Sequence, residues 1–196
     1  MKKSKTLELF MFLIVICITV TTIKVYAANS MNKEIRNAYL KQVKKDKKEY
    51  KSNNEKLSYA FKDLNGDGID ELINYLGYGF CTEIIYTYSK GKVKEIANVG
   101  QGDFSKFYKK NKVLYCERGH MDVYNYEYYK FKGKKLIRKA YQLEIVEWDN
   151  SANPVTTYEY YINDNNVSKD RYEKYVKKLT KGDKAQLLSK IKWKTY

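Results

Sequence analysis

The sequence is poor in the residues that most often bind transition metals or carry catalysis. Its 196 residues include one histidine, three cysteines and one proline. A zinc site needs several cysteine or histidine ligands close together, and the chain concentrates them nowhere, so we do not expect zinc. His120 follows Cys116 closely, but we identify no residue to orient such a pair as a nucleophilic site. The leading expectation is therefore not an enzyme.

Positive charge and tyrosine are abundant instead. Lys and Arg number 38 against 23 Asp and Glu, which gives a formal net charge of +15, and there are 21 tyrosines. Such a charge favours anionic surfaces such as wall polymers, acidic glycans or lipid headgroups. A solvated lysine-rich surface without an anionic partner is the alternative. Because no nucleic-acid-binding motif accompanies the charge, we do not expect nucleic acid as a partner.

The first 27 residues have the features of a signal peptide. Lysines precede an apolar run over 9–20, and residues 25–27 provide a small-residue cleavage pattern. The alternative is an uncleaved anchor, but this run is shorter than the roughly 20 residues that cross a bilayer. We therefore predict cleavage after Ala27, one mature domain over 28–196 without a membrane span, and a secreted or envelope-associated location.

Two cysteines, Cys81 and Cys116, remain in the predicted mature chain. Outside the cell they could join distant strands through one disulfide. Such a bridge would stabilise the fold by about 3–4 kcal/mol, mainly by restricting the unfolded chain. Two buried thiols are the alternative, and the sequence leaves both open.

Hydrophobic periodicity predicts an α+β fold. Apolar residues at helical spacing predict a helix over 31–51. Ser168 is the predicted N-cap of a C-terminal helix, and a second short helix is expected from Asp183, carrying Leu187, Leu188 and Ile191. Alternation of period two predicts strands between these helices, at 57–61, 72–76, 112–117, 123–132, 138–148 and 156–162.

Two Lys-Gly-Lys sequences, at 90–92 and 132–134, each follow an aromatic strand pattern. Glycine permits the positive φ of tight hairpins, so both predict turns between antiparallel strands. We therefore expect an antiparallel β-meander, either sandwich-like or strongly curved, with an N-terminal helix and C-terminal helices. The strand over 123–132 changes its alternation, which predicts either two covered faces or a β-bulge.

The most informative stretch is an acidic loop over 63–72. Oxygen-bearing side chains recur at its first, third and fifth places, and Gly68 at the sixth place permits a sharp turn. This pattern predicts a calcium site that rigidifies the loop and the two strands it joins, with these ligands: Asp63, Asn65, Asp67, the carbonyl of Ile69, and Glu71. The alternative is a metal-free hairpin, because Asn-Gly and Asp-Gly form turns by themselves.

The loop is not an ordinary EF-hand, because its twelfth place, Asn74, lies in a strand pattern where a bidentate Glu is required. The form Asp-x-Asn-x-Asp-Gly-x-x-Glu-Leu between two strands resembles the calcium loops of integrin-type FG-GAP and related bacterial propeller repeats. That resemblance covers about residues 59–77, in one copy, whereas a propeller requires several. The wider layout is similar to that of exported proteins of Gram-positive bacteria. The resemblance implies Ca²⁺ as the bound ion and brings no particular activity with it.

The remaining candidate is a tyrosine face formed by Tyr124, Tyr126 and Tyr128 on one side of a predicted strand. Beside lysines, such a face could stack on sugar rings or bind an anionic polymer. Tyrosine also suits a half-buried sheet without any ligand.

These observations favour an exported, calcium-stabilised, non-catalytic module that binds an anionic cell-wall polymer or another extracellular protein. One alternative is a secreted hydrolase with paired carboxylates. Another is a small inhibitor or immunity-type protein that blocks an extracellular enzyme. A large exposed apolar patch would favour the inhibitor, and two close carboxylates in a concave pocket would favour the hydrolase.

Overall fold

The computed structural model describes the following residues: 33–50, 57–76, 83–99, 105–148 and 153–195. The predicted signal peptide and Cys81 lie outside them. No helix within these ranges is both long enough and apolar enough to cross a membrane. The chain divides into two compact units, Met1–Lys41 and Gln42–Tyr196. In the first unit the described part is helical, and the second unit contains both sheets.

The predicted α+β class is wrong, because the described residues are mostly β and form two antiparallel sheets. Helix α1 covers 33–49, close to the predicted 31–51. Helix α2 covers Lys169–Leu179 and begins after the predicted N-cap, Ser168, although that side chain makes no capping hydrogen bond.

Sheet A has five strands in the order β12-β1-β2-β3-β4. The acidic loop connects β1 to β2, and the Lys90-Gly91 turn connects β3 to β4 as predicted. The strands are β1 (Ser58–Lys62), β2 (Glu71–Tyr75), β3 (Glu83–Ser89), β4 (Lys92–Val99) and β12 (Lys194–Thr195).

Sheet B has seven strands in the order β10-β9-β8-β7-β6-β5-β11. Two-residue turns join β6 to β7 and β7 to β8, the second at the predicted Lys-Gly-Lys sequence. The strands are β5 (Lys106–Tyr108), β6 (Val113–His120), β7 (Val123–Lys132), β8 (Lys135–Trp148), β9 (Pro154–Ile162), β10 (Asn165–Asn166) and β11 (Gln186–Leu187).

The second predicted C-terminal helix is also wrong. Gln186 and Leu187 instead pair with β5, and a 3-10 turn follows over Leu188–Lys190. The chain then returns to pair with β1 as β12. The apolar spacing of this segment resembles a short helix, but the edges of both sheets satisfy its backbone hydrogen bonds, and tertiary pairing overrides a weak local preference.

The core lies between the two sheets. Sheet A contributes Ile73, Ile85 and Val99. The acidic loop contributes Leu64, the C-terminal segment contributes Leu188, and sheet B contributes Phe107, Leu114, Cys116 and Phe131. Because alternate residues of a strand point to opposite faces, the other face of sheet B points away from sheet A.

That outer face of sheet B is partly covered by α2. Tyr172 of α2 is buried, and its ring centroid lies 5.2 Å from that of Tyr160 on β9. On β7 the register shifts between Tyr128 and Tyr129. Of the two predicted alternatives, covered faces or a β-bulge, the register shift supports the bulge, which explains why the strand's alternation changes there.

Candidate functional site

The acidic loop is coiled by hydrogen bonds from its own backbone. The Asp63 carboxylate accepts from the N–H groups of Gly66 (2.6 Å) and Gly68 (3.1 Å). Both glycines have positive φ, +72° and +84°, which glycine adopts without steric cost. The backbone of the loop therefore bends back over the Asp63 side chain. This is the tight coil that the cation-binding pattern predicts.

The other two alternating side chains accept hydrogen bonds within the same coil. Asn65 Oδ1 accepts from the Asp67 N–H at 2.8 Å, and Asp67 Oδ1 accepts from the Ile69 N–H at 2.9 Å. Each oxygen has two lone pairs, so one bond to an N–H leaves capacity for a cation. Asp63, Asn65, Asp67 and the Ile69 carbonyl therefore fit a hard cation by chemistry.

Glu71, the last of the predicted ligands, lies beneath the loop. It is fully buried beneath the loop, where its carboxylate accepts from the N–H groups of Leu64 (2.9 Å) and Asn65 (3.3 Å). Asn65 Nδ2 (2.7 Å) and the Thr87 hydroxyl (3.1 Å) also donate to it. With four donors bound, Glu71 braces the loop from below and has little capacity left for a metal.

Burial raises the pKa of Glu71 to about 7, although the hydrogen bond from the Leu64 N–H acts in the opposite direction. Desolvation disfavours the charged carboxylate, and the nearby charge of Asp67 disfavours it further. Glu71 therefore titrates close to neutral pH in the metal-free protein.

Two lysines from sheet B turns lie against the acidic loop. Lys134 Nζ is 3.9 Å from Asp67 Oδ2 and also donates to the Tyr88 carbonyl. A Cβ added to Gly66 would come within 3.1 Å of Lys112 Nζ, so that ammonium lies directly over the loop. These ammonium groups supply positive charge at the place where a cation would bind, and they would compete with it.

Within the described ranges, no three histidine, cysteine, aspartate or glutamate side chains converge as a metal site. The loop offers two carboxylates, one amide and one carbonyl. A calcium ion there would complete its six to eight oxygen ligands with water, an arrangement typical of weak sites.

Cys116 is not placed for catalysis. Its sulfur is completely buried in the core. As a thiol, its pKa would lie well above the usual range because of burial, with the Glu83 charge adding to the effect. The protonated thiol is a poor nucleophile. Its predicted disulfide partner, Cys81, lies outside the described residues, so that pairing stays a prediction.

The predicted tyrosine face is on the outer side of sheet B. Tyr128 packs against Tyr115, with ring centroids 4.8 Å apart, at the part of the sheet that α2 covers. Tyr126 donates its hydroxyl to Glu144 Oε2 at 2.8 Å. Burial and this hydrogen bond raise the pKa of Tyr126 to about 12. The hydroxyl therefore stays protonated and able to donate.

The third tyrosine, Tyr124, lies over a glycine. Gly119 is its cross-strand partner, and a Cβ added there would come within 2.1 Å of the Tyr124 ring. Any other residue at position 119 would therefore displace this ring. Tyr124 is 39% exposed, so the ring is held by the backbone of β6 and remains open to solvent.

Large apolar side chains are exposed at the same end of sheet B. Met121 is 82% exposed and Trp148 is 61% exposed, and Trp148 Nε1 donates to Asp122 Oδ2 at 3.3 Å. This end is remote from the acidic loop, because β7 runs from Val123 here to Lys132 beside Lys134. We define the distal face as these residues: Met121, Tyr124, Tyr126, Glu144, Trp148 and Tyr158.

The charge of this end is opposite to that of the chain. The strand halves over 114–127, 140–148 and 153–162 contain one arginine, Arg118, and no lysine. Their acids are Glu117, Asp122, Glu127, Glu144, Glu147 and Glu159. Two of these acids are compensated locally: Arg118 and Arg138 bind Glu127, and Lys106 lies 3.7 Å from Glu117.

Sequence reasoning identified Tyr124 and Tyr126 but not Glu144, Trp148 or Tyr158. Those three come from β8 and β9, and only strand order and register bring them beside β7. Their alternation within each strand showed which residues share a face. No feature of the sequence showed which strands are neighbours.

The sequence matches no protein-family model and no curated protein. Among solved structures, the chain is similar to one described as a Xanthomonas Type IV Secretion System related protein, with 17% identity and a TM-score of 0.37. The alignment covers 61% of this chain and 61% of that chain. At this TM-score the similarity supports no conclusion about fold or function. The resemblance of the acidic loop to FG-GAP loops stays a prediction.

Proposed function

We propose that this protein is an exported, non-catalytic binding module that recognises another extracellular protein and is stabilised by calcium in the acidic loop. The observation that carries the proposal is the distal face, where Met121 and Trp148 stay exposed beside ordered tyrosines. Trp, Tyr and Met are enriched in protein interfaces. An exposed cluster of such residues marks an interaction site.

The charge around the distal face favours a protein over an anionic polymer. Glu144 lies among the tyrosines, and no lysine belongs to the neighbouring strand halves. The polymer interpretation of the tyrosine face depended on adjacent lysines. The positive charge that an anionic wall polymer would bind lies elsewhere on the chain.

A pull-down tests the binding function. The mature chain, immobilised, is exposed to the extracellular proteins of the producing organism and, separately, to its purified cell walls. We expect a protein that binds in stoichiometric amounts and binds again after purification. Retention by walls alone, reversed by salt, would replace this proposal with the polymer-binding one.

Calcium has a structural role in this proposal. Asp63, Asn65, Asp67 and the Ile69 carbonyl would hold the ion, and Glu71 would brace the loop from beneath. Binding to the folded chain alone stabilises it by RT ln(1 + [Ca²⁺]/Kd). For a Kd of about 10⁻⁴–10⁻³ M, as in extracellular modules, 10 mM Ca²⁺ would contribute roughly 1.4–2.7 kcal/mol.

Thermal unfolding in 10 mM Ca²⁺ and in chelator tests that role. We expect Ca²⁺ to raise the Tm by several degrees and Asp67→Ala to abolish the rise. Asp70→Ala is the matched control, because Asp70 is an exposed acid of the same loop outside the proposed ligand set. Lys134→Met should increase the Ca²⁺ effect by removing the competing ammonium. Identical wild-type melting in both solutions would exclude the calcium site.

An inhibitor that blocks an extracellular enzyme is the second candidate. It is favoured by the same observation, because an exposed apolar cluster at the tip of a sheet can enter a partner's cleft. If the captured protein is an enzyme, its activity in the presence of excess mature chain distinguishes an inhibitor from a binding module that does not inhibit. Loss of activity supports the inhibitor, and unchanged activity supports a binding module without inhibition.

A further inference from the structure

We propose that the distal face recognises a basic protein partner by receiving an arginine or lysine side chain on Glu144, between Tyr124 and Tyr158. This inference rests on the proposed binding function and names the chemistry of the partner. It depends on three separate observations: the cross-strand order of these residues, the local charge, and the geometry of the adjacent turn.

The cross-strand order forms a row of three side chains. Glu144 on β8 is directly opposite Tyr124 on β7 and directly opposite Tyr158 on β9. Side chains of such pairs on one face have Cβ atoms about 4.5–5.5 Å apart. A carboxylate flanked by two aromatic rings offers a cation both an ion pair and cation–π contacts.

Neighbouring groups hold this row in place. The Tyr126 hydroxyl binds one oxygen of Glu144 and leaves the other for a ligand. Tyr124 is seated on Gly119, and Tyr158 remains 49% exposed. The receiving groups are therefore oriented before a partner arrives, which reduces the entropy lost on binding.

The turn beside this row is strained and exposes an apolar side chain. Met121 and Asp122 occupy the β6–β7 turn with φ of 47° and 67°. A turn with two positive φ values favours Asn-Gly, and a methionine there is unfavourable. Met121 is also 82% exposed. Folding alone would favour another residue at this position, whereas a contact with a partner explains a methionine.

The local charge determines which occupant fits. In a chain of net charge +15, this face carries Glu117 and Glu144, with Asp122 in the adjacent turn, and the strand halves place no arginine or lysine on it. Lys106, at 3.7 Å, compensates Glu117. A symmetric dimer through this face would bring two acidic surfaces together, which like-charge repulsion disfavours. A partner with a basic rim and an apolar centre complements both the acids and the exposed Met121 and Trp148.

A hexa-arginine peptide is a suitable first probe. The mature chain as a whole repels a polycation, so saturable binding would report a local acidic receptor. We expect NMR shift changes confined to the distal face residues, and at least a tenfold loss of affinity in Glu144→Gln. Glu95→Gln, on sheet A, removes one acid elsewhere and should leave binding within twofold of wild type.

Further outcomes separate this inference from the proposed function. Absent or unsaturable shifts, or shifts that persist unchanged in Glu144→Gln, would overturn the arginine receptor. If a protein captured in the pull-down binds Glu144→Gln and Met121→Asn as tightly as wild type, the binding function stands and the distal face is not its site. If the pull-down captures no protein, the proposed function itself fails.

Discussion

At the scale of single residues, Glu71 has the clearest physical role. It lies where the sequence pattern predicted a metal ligand, yet the structure surrounds it with four hydrogen-bond donors from the loop and from β3. A buried acid that is satisfied by backbone N–H groups holds a loop closed without any ion. The acidic loop is therefore folded partly by Glu71 and would be only further stabilised by calcium.

The pKa of Glu71 predicts how stability depends on pH in the metal-free protein. Its folded value of about 7 is above the ordinary value of 4.5, so the folded chain binds this proton more tightly than the unfolded chain does. Stability should therefore fall as pH rises from about 4.5 to 7 and stay level above that. The loss is on the order of 3 kcal/mol, from a shift of about 2.5 pKa units at 1.36 kcal/mol each.

Denaturant unfolding between pH 4.5 and 7.5, in chelator, measures this dependence. Glu71→Gln cannot titrate, so the difference in unfolding free energy between it and wild type should change across this range. Other groups titrate equally in both chains and cancel in that difference. A constant difference at every pH would show that Glu71 keeps one protonation state.

At the scale of elements, the hairpin turns show how the same backbone geometry serves different purposes. The β3–β4 turn contains Lys90 and Gly91, with φ of 52° and 74°. The β6–β7 turn has Met121 and Asp122 in the same region. Both satisfy the twist that joins antiparallel strands. Only the second exposes a large apolar side chain, beside Trp148.

Met121→Asn should raise stability and weaken partner binding. Asparagine adopts positive φ more readily than methionine, so the free energy of unfolding should increase by about 1 kcal/mol. Lys90→Asn is the matched control, because it relieves the same backbone strain far from the distal face. It should raise the Tm and leave binding unchanged.

Two measurements on Met121→Asn decide the role of this turn: its Tm and its affinity for the captured protein, each compared with wild type. If Met121→Asn lowers the Tm, the methionine contributes to folding and the strain argument is wrong. If it raises the Tm and leaves the affinity unchanged, the turn lies outside the docking surface.

At the scale of the whole molecule, the C-terminal segment ties the two sheets together. Its β11 pairs with β5 of sheet B and its β12 pairs with β1 of sheet A. Between them, Leu188 is buried in the core, and its carbonyl accepts from Trp193 Nε1 at 3.0 Å. The ring of Trp193 in turn packs on Tyr75 of sheet A.

Leu188→Ala should therefore destabilise the whole second unit. Removing a buried leucine side chain costs about 2–5 kcal/mol, because the cavity it leaves is only partly closed. Leu187→Ala is the control: Leu187 is only half-buried in the same segment and its replacement should cost less. Denaturant unfolding followed by tryptophan fluorescence and by far-UV circular dichroism measures both.

We expect a single unfolding transition for Leu188→Ala, with both probes coinciding at a lower midpoint. Separate transitions for the two probes would show that the sheets unfold independently, so that the C-terminal segment does not couple them. Equal losses for the two leucine variants would show that burial in the core is not the source of the effect.

Local patterns were sufficient for several of the longer strands and for the hairpin turns. The strand predicted over 123–132 is β7 itself, the Lys-Gly-Lys turns are confirmed, and the register shift supports the bulge. Alternation and glycine act within a few residues, so they can be read directly from the sequence. The prediction of a second C-terminal helix was wrong because Gln186 and Leu187 pair with Phe107 and Lys106 of β5, far earlier in the chain.

The candidate sites also have some features set by local sequence and others set only by tertiary structure. The spacing of Asp63, Asn65 and Asp67 determined that a coiled acidic loop would form, because each side chain binds an N–H a few residues away. Tertiary structure alone decided that Glu71 is buried under that loop, that Lys134 faces it, and that Glu144 lies between two tyrosines. The burial of Glu71 depends on sheet packing over the loop and on Thr87 of β3. The Lys134 and Glu144 contacts join separate strands and turns, so they depend on strand order and register, which local residue preferences do not encode.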